Sequence, residues 1–321
     1  MRILLWQVHG SWTTSFVQGQ HKYVVPVTPD RGPDGLGRAR TYPWPATVTE
    51  RSPEQLRDEP VDVVVLQRPH ESGLVASWLG RRPGIDLAAV YLEHNTPGGA
   101  AWDARHPMGD QDEIPIVHVT HFNRLFWDNG AAPTTVVEHG IIDPGYRYLG
   151  TVPRAAVAVN DPVRRWRAVG ADLLAPLAMR VPLDVFGMNV QRLGKHLDLP
   201  QSRLTSHEDL SQRQLHQELA DRRVYLHTSR WTSLGLSLLE AMHLGMPVVV
   251  LATTEAIRAV PAEAGVLTTD PEEMAAAART FLDEPEYARI VGRAARDAVL
   301  RRYNLARFLT DWDALLTEVT R

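Results

Sequence analysis

The stretch His227–Val250, HTSRWTSLGLSLLEAMHLGMPVVV, decides how the chain folds. Val224–His227 reads as a strand and Thr228–Ser233 as the polar turn beyond its C-terminal end. Leu234–Leu244 reads as a helix, because Leu, Ala, Met and Glu dominate it. Gly245 is placed as its C-terminal cap, and Pro247 opens the next strand. Thr232 or Ser233 is positioned to cap the helix N-terminus through a side-chain oxygen. Within the helix, Glu240 is a lone carboxylate among Leu236, Leu238, Leu239, Ala241 and Met242, more than one turn from the start. A carboxylate in such company needs a partner, either a neighbouring arginine or the hydroxyls of a ligand.

Working outward, short apolar runs recur along the whole chain. In the first half they are Arg2–Val8, Val61–Gln67, Leu87–Glu93, Ile114–Thr120 and Thr134–Gly140. In the second half they are Ala155–Asn160, Pro182–Gly187, Arg222–Thr228, Pro247–Ala252 and Ala264–Thr269. They are continuous rather than alternating, the mark of parallel strands covered on both faces. Two successive sets point to two doubly wound α/β domains. The Gly- and Pro-punctuated segment Ile142–Pro153 reads as the linker between them. Pro29–Pro60, rich in Pro, Gly, Arg and Asp, reads as a surface loop with a possible substrate-facing role. Three amphipathic helical segments close the chain, the last with Phe308, Leu309, Trp312, Leu315 and Leu316 on one face.

The bulk properties narrow the function. With 321 residues, 44% of them hydrophobic, the chain can bury a full core. A net charge of -4 gives no general attraction to nucleic acid or to an anionic membrane. No cysteine is present, which excludes disulfides and thiolate metal sites and fits a reducing compartment. No run approaches the roughly 18 apolar residues of a membrane span, and the start MRILLWQVHG is too short for a leader, so a cytoplasmic location is expected. Only two lysines, Lys22 and Lys195, stand among 34 basic residues. Any phosphate would therefore be held mostly by arginine forks and backbone amides. His118 and His121 are three apart, but with no evident third ligand no metal is expected.

SLGLSLLEAMHLGMPVVV resembles the signature of retaining glycosyltransferases of the GT-B fold, family 4 type. In that family two glutamates bracket seven residues, and an apolar run ending in Glu-Ala precedes Gly-x-Pro-Val-Val. The resemblance gives Glu240 the ribose hydroxyls of a nucleotide. It gives the backbone of Ser233, Leu234, Gly235 and Leu236 the donor. The first glutamate, which contacts the donor sugar, is replaced here by Thr232, a residue that can share one hydrogen bond but carries no charge. Upstream, VNDPVRRWRAVG resembles the segment whose basic residues contact the diphosphate. Val169 stands at the usual lysine position, which leaves Arg164 and Arg165 as candidates. DVFGMN and SHEDLSQRQLHQEL resemble the loops that hold the base. In the first half Gly10, after strand one, matches a glycine that lets substrate approach, and His94, in YLEHNTPGG, matches a histidine lining the reaction centre. VEHGIIDPG resembles the interdomain hinge.

What the resemblance implies is two Rossmann-like domains facing across a cleft. Residues 1–145 form the acceptor-side domain, 146–303 the nucleotide-sugar-binding domain, and 304–321 a helix returning to the first. It implies transfer of a sugar from a nucleoside-diphosphate sugar to an acceptor hydroxyl with retention, without metal or cofactor. The partners expected are that donor and a hydroxyl acceptor, with no nucleic acid and with peripheral membrane contact left open. Two other readings share the fold: a non-catalytic nucleotide-binding subunit, and a nucleotide-sugar epimerase or hydrolase.

Overall fold

The computed structural model describes residues 1–100 and 102–321. The chain divides into two compact units, Met1–Ile141 with Leu305–Arg321, and Ile142–Asn304.

The first unit is built on seven strands, β1 (Arg2–Leu5), β2 (Lys22–Pro26), β3 (Val48–Arg51), β4 (Val63–Leu66), β5 (Ala88–Glu93), β6 (Ile116–His118) and β7 (Thr134–Val136). They lie in the order β3-β2-β1-β4-β5-β6-β7, all parallel. From β1 the chain steps outward to β3 and then returns to the other side at β4. That reversal makes the β1/β4 boundary the topological switch point. The strand cores ILL, VVVL and AVYL are buried on both faces, as their unbroken apolar runs require.

Two of these strands, β2 and β3, escape the reading of hydrophobic runs, and Pro29–Pro60 is not simply a loop. It contains β3 and a one-turn helix, Pro53–Leu56, started by a Ser52–Gln55 capping box. The irregular part is stitched by arginine: Arg38 donates to the carbonyls of Trp44, Pro45 and Val48, and Arg31 pairs with Glu50. As the last strand at its edge, β3 (VTER) buries only Val48, so it carries no apolar signal to read.

The helix Leu305–Val319 belongs to this unit and buries Phe308, Trp312 and Leu316. Trp312 packs edge-on against Trp12 and Phe16, with ring centroids 5.5 and 5.0 Å apart. Gly140 lies so close that an added Cβ would stand 2.2 Å from Phe308.

The second unit repeats the plan with six parallel strands, β8 (Val152–Ala158), β9 (Leu183–Gly187), β10 (Leu204–Glu208), β11 (Arg222–His227), β12 (Val248–Leu251) and β13 (Gly265–Thr268). Their order is β10-β9-β8-β11-β12-β13, so the switch point falls between β8 and β11. Part of SHEDLSQRQLHQEL is regular structure rather than loop. His207 and Glu208 end edge strand β10, and Gln212–Asp221 is a helix opened by a Ser211–Gln214 capping box.

The tryptophan cluster yields the first prediction. Trp312→Ala should lower the unfolding free energy by about 3–5 kcal/mol, the range for emptying a buried aromatic site. Urea unfolding followed by circular dichroism measures it, and a loss below about 1 kcal/mol would show that the Leu305–Val319 helix is only loosely held.

Candidate functional site

At the switch point of the second unit, two loops leave the C-terminal ends of β8 and β11 and touch. The contact is possible because Gly170 has no side chain: a Cβ there would lie 2.0 Å from the Thr228 carbonyl oxygen. Gly170 also holds a left-handed φ of 70°, which L side chains resist. The Thr228 hydroxyl donates to the Val169 carbonyl at 2.9 Å, and the N–H groups of Arg230 and Trp231 both donate to that of Ala168. Arg230 then forks onto Asp172.

This packed seam carries the two arginines singled out in the sequence. Arg164 is exposed and pairs with Asp161 at 2.8 Å. Arg165 is half-buried; among the described residues its guanidinium makes no side-chain hydrogen bond or salt bridge, and the Asp161 carboxylate acts on it only through its charge. Burial, and next the neighbouring Arg164 charge, pull its pKa below the usual guanidinium value. The backbone is strained here: Asp161 has φ 52° and Asn189, across on the β9 loop, has φ 59°. The Asn189 side chain donates to Asp161 and so ties the two loops together.

On the β11 side the helix runs Leu236–Leu244, two residues shorter at its start than its composition indicates. Its N-cap is Gly235, in extended conformation and with no side-chain capping bond, so neither Thr232 nor Ser233 caps it. The turn is held back because Ser233 and Leu234 are buried in it, and the Ser233 carbonyl accepts the Glu255 N–H at 3.4 Å. The helix therefore presents its first amides without a side-chain acceptor. Gly245 ends it as read, with φ 89° and the Met246 N–H returning to the Ala241 carbonyl.

Gly235 and Gly10 are each covered from within. A Cβ on Gly235 would meet the His227 ring at 2.4 Å, and one on Gly10, the first residue of the helix Gly10–Phe16, would meet Tyr42 at 2.8 Å. The bare Cα therefore admits a side chain of the protein itself in both places.

Glu240 is 4% exposed. One carboxylate oxygen accepts the Gln212 side-chain amide at 3.0 Å. His216 Nε2 stands 3.5 Å from the other, too long for a well-formed hydrogen bond. Both partners project from the helix Gln212–Asp221, four residues apart, a spacing that puts them on one face. The Glu240 charge, after burial, helps push the Tyr225 phenol above its ordinary pKa.

In the first unit, His94 follows β5 at the C-terminal edge of the sheet. His9, before the Gly10–Phe16 helix, packs against it with centroids 3.8 Å apart and the rings tilted by 39°, and His139 lies nearly parallel to it at 6.4 Å. Among the described residues His94 Nε2 has no hydrogen-bond partner. Burial holds all three imidazoles neutral: His94 falls well below its ordinary pKa, His9 to about 4 and His139 to about 3.

The structure thus divides the sequence-derived candidates. Arg164, Arg165, Thr232, Ser233, Leu234, Gly235, Leu236 and Glu240 belong to the second unit, on the loops and helix that follow β8 and β11. Gly10 and His94 belong to the first. Gln212 and His216 were within reach of sequence reading, since their i,i+4 spacing is a helical signal. His9 and His139 were not, because only the fold brings them to His94.

Comparisons with known proteins bear on the fold. Residues 164–314, a little under half of the chain, match the family model described as glycosyl transferase-like. No curated protein matches by sequence at a significant level. Among solved structures, sucrose-phosphate synthase from Thermosynechococcus elongatus superposes with a TM-score of 0.70 at 14% identity, over 99% of this chain and 98% of that one. HepE from Anabaena, in complex with UDP and glucose, gives 0.70 at 15% identity over 99% and 100%. A TarM variant from S. aureus, in complex with fondaparinux, a GlcNAc-glycerol and UDP, gives 0.66 at 14% identity. It matches 79% of this chain, which spans about half the length of that protein, 55%. The fold is therefore GT-B, with two Rossmann-like parallel-sheet units.

The buried histidines make stability depend on pH. The unfolded chain takes up histidine protons near pH 6.5, whereas folded His9, His118 and His227 do so only near 4. The depressed folded pKa means that stability is complete above about pH 6.5 and is lost as pH falls through about 4. Melting scans across this range should show the midpoint dropping on acidification, and His227→Asn should flatten the profile. An unchanged midpoint down to pH 4 would contradict the buried, neutral state of these rings.

Proposed function

We propose that the protein transfers a sugar from a nucleoside-diphosphate sugar to an acceptor hydroxyl, with retention at the anomeric carbon. The observation that carries this reading is Arg165, a half-buried guanidinium that among the described residues makes no side-chain hydrogen bond or salt bridge, at the switch point of a Rossmann-like sheet. A half-buried guanidinium whose N–H groups are not taken up by the protein can fork onto phosphate oxygens. The uncapped N-terminus of the Leu236–Leu244 helix, on the adjoining loop, adds amides and partial positive charge for phosphate. Glu240 would accept the ribose hydroxyls, displacing or sharing the Gln212 amide. The family model and the GT-B neighbours, one of them in complex with UDP and glucose, favour a sugar nucleotide over other phosphates.

In the reaction the bond between the anomeric carbon and the β-phosphate oxygen breaks, and a bond to the acceptor oxygen forms on the same face. The acceptor's proton passes to the departing diphosphate. Arg165 and the helix amides would stabilise the charge that develops on that leaving group. Fixed protein charges replace a metal in this scheme. A second reading, a subunit that binds nucleotide without turnover, draws on Thr232, which puts a neutral side chain where the family pattern has a carboxylate.

A thermal-shift screen against UDP, GDP, ADP, CDP and dTDP and their sugars identifies the base, since the bound form melts higher. With the ligand so found, Glu240→Ala should weaken calorimetric binding by about 1–3 kcal/mol, the cost of losing hydrogen bonds to a charged group. Arg165→Ala should weaken the diphosphate by a similar amount, about 1.5–3 kcal/mol, and leave the bare nucleoside unaffected. Unchanged affinity in either folded variant would sink the assignment of that residue.

Thr232→Glu should change which donor sugar is used while nucleoside-diphosphate affinity stays within about threefold, a shift under 1 kcal/mol. A collapse of diphosphate affinity would show that position 232 does not face the sugar.

A further inference from the structure

Of the large apolar side chains among the described residues, the two most exposed line one and the same concavity. They are Trp102, 89% exposed, and Leu125, 78% exposed. The concavity measures about 530 Å³ and is also lined by Phe126, Trp127, Asp103 and Asp128. Its volume falls within the range of small-ligand sites, about 300–1,000 Å³.

The aromatic wall is fixed to the strand end that carries His94. Trp127 donates its indole N–H to the carbonyl of Asn95, the residue after His94, at 2.9 Å. His106 packs edge-on against Trp127 at 4.9 Å. The Met108 N–H occupies His106 Nδ1, so Nε2 carries the proton and donates it to Glu93, the last residue of β5, at 3.1 Å. The wall is thus held in place from within the unit.

The polar groups in the hollow differ in what they have left to offer. Asp128 is engaged by Arg105 through both oxygens and by the Gly130 N–H. Among the described residues, the Asp103 carboxylate and the Trp102 indole N–H have no partner. What remains is an aromatic face, a solvated carboxylate that can accept from O–H or N–H donors, and a solvated indole N–H that can donate. A sugar ring satisfies all three, with an apolar C–H face and hydroxyls that both donate and accept. An anionic lipid surface fits less well. The same loop carries Asp103, Asp110, Asp112 and Glu113, of which Arg105 pairs with Asp110.

We infer that this hollow binds a saccharide.

The test titrates the full chain with cellobiose, maltose, lactose and chitobiose, followed by indole fluorescence and saturation-transfer NMR. Benzyltrimethylammonium chloride and phosphatidylglycerol vesicles serve as competing probes. At least one disaccharide should bind. Trp102→Ala should weaken it about tenfold, as expected for losing an aromatic stacking partner, and Asp103→Asn about threefold, as for one exposed hydrogen bond. Both side chains are exposed, so melting should be unchanged. Glu240→Ala should bind the disaccharide like the parent chain, which separates this site from the donor site. The inference is overturned if no disaccharide binds, if Trp102→Ala binds equally well, or if only the aryl cation or the vesicles bind. Binding that responds to Trp102→Ala in a chain that turns over no donor would uphold the saccharide site and defeat only the transferase reading.

Discussion

In the second unit the C-terminal edge of the sheet depends on one missing methyl group. Because Gly170 has no Cβ, the loop after β8 can lie against the Thr228 carbonyl. Three hydrogen bonds then close the seam, from the Thr228 hydroxyl and from the amides of Arg230 and Trp231. Those bonds settle where the β8 loop runs, and with it Arg165. They also commit the start of the β11 loop, so that the helix after it begins only at Leu236, past two buried residues and an extended glycine. A side chain at position 170 would have to open this seam or force the left-handed backbone, and each alternative moves the groups that would meet a phosphate.

A second constraint is the repeated use of buried, neutral histidine at strand ends. His227 ends β11 and fills the space over Gly235, while His94 follows β5 with His9 against it. Burial is the leading cause of the depressed pKa in each of them. An imidazole suits these places because it packs like a small aromatic yet keeps one donor and one acceptor. The cost is sensitivity to acid, since each ring must stay deprotonated for the fold to hold.

How much of this was legible depended on burial. Runs such as VVVL at β4 and β12 are buried on both faces, so their composition alone marks them as parallel strands. The edge strands β3 and β10, VTER and LTSHE, bury mainly their first residue and read as polar loop. The Gly245 cap was visible because a C-terminal glycine with positive φ is a local matter. The start of the same helix was not, because it is set by tertiary contacts of Ser233 and Leu234 rather than by the choice of residue at 232 or 233. Glu240 stood out as a carboxylate in apolar company. Its partners Gln212 and His216 lie on another helix, and sequence could show only that they share a face.

The departure at Thr232 bears on what the site could discriminate. If position 232 faces the donor sugar, as proposed, a glutamate there would set negative charge beside a helix tip that attracts anions, roughly half an elementary charge of the opposite sign. Threonine removes that opposition at position 232, so that in the proposed reaction Arg165 and the tip would act on the diphosphate without a carboxylate there. The loss falls on the sugar. A neutral hydroxyl contributes about 0.5–1.5 kcal/mol through a hydrogen bond where a carboxylate contributes about 1.5–3. Preference among sugars would then depend less on charged contacts and more on shape. The strained backbone at Asp161 and Asn189, tied together by the Asn189 side chain, keeps the neighbouring loops in one arrangement and so supplies the rigidity that selection by shape requires.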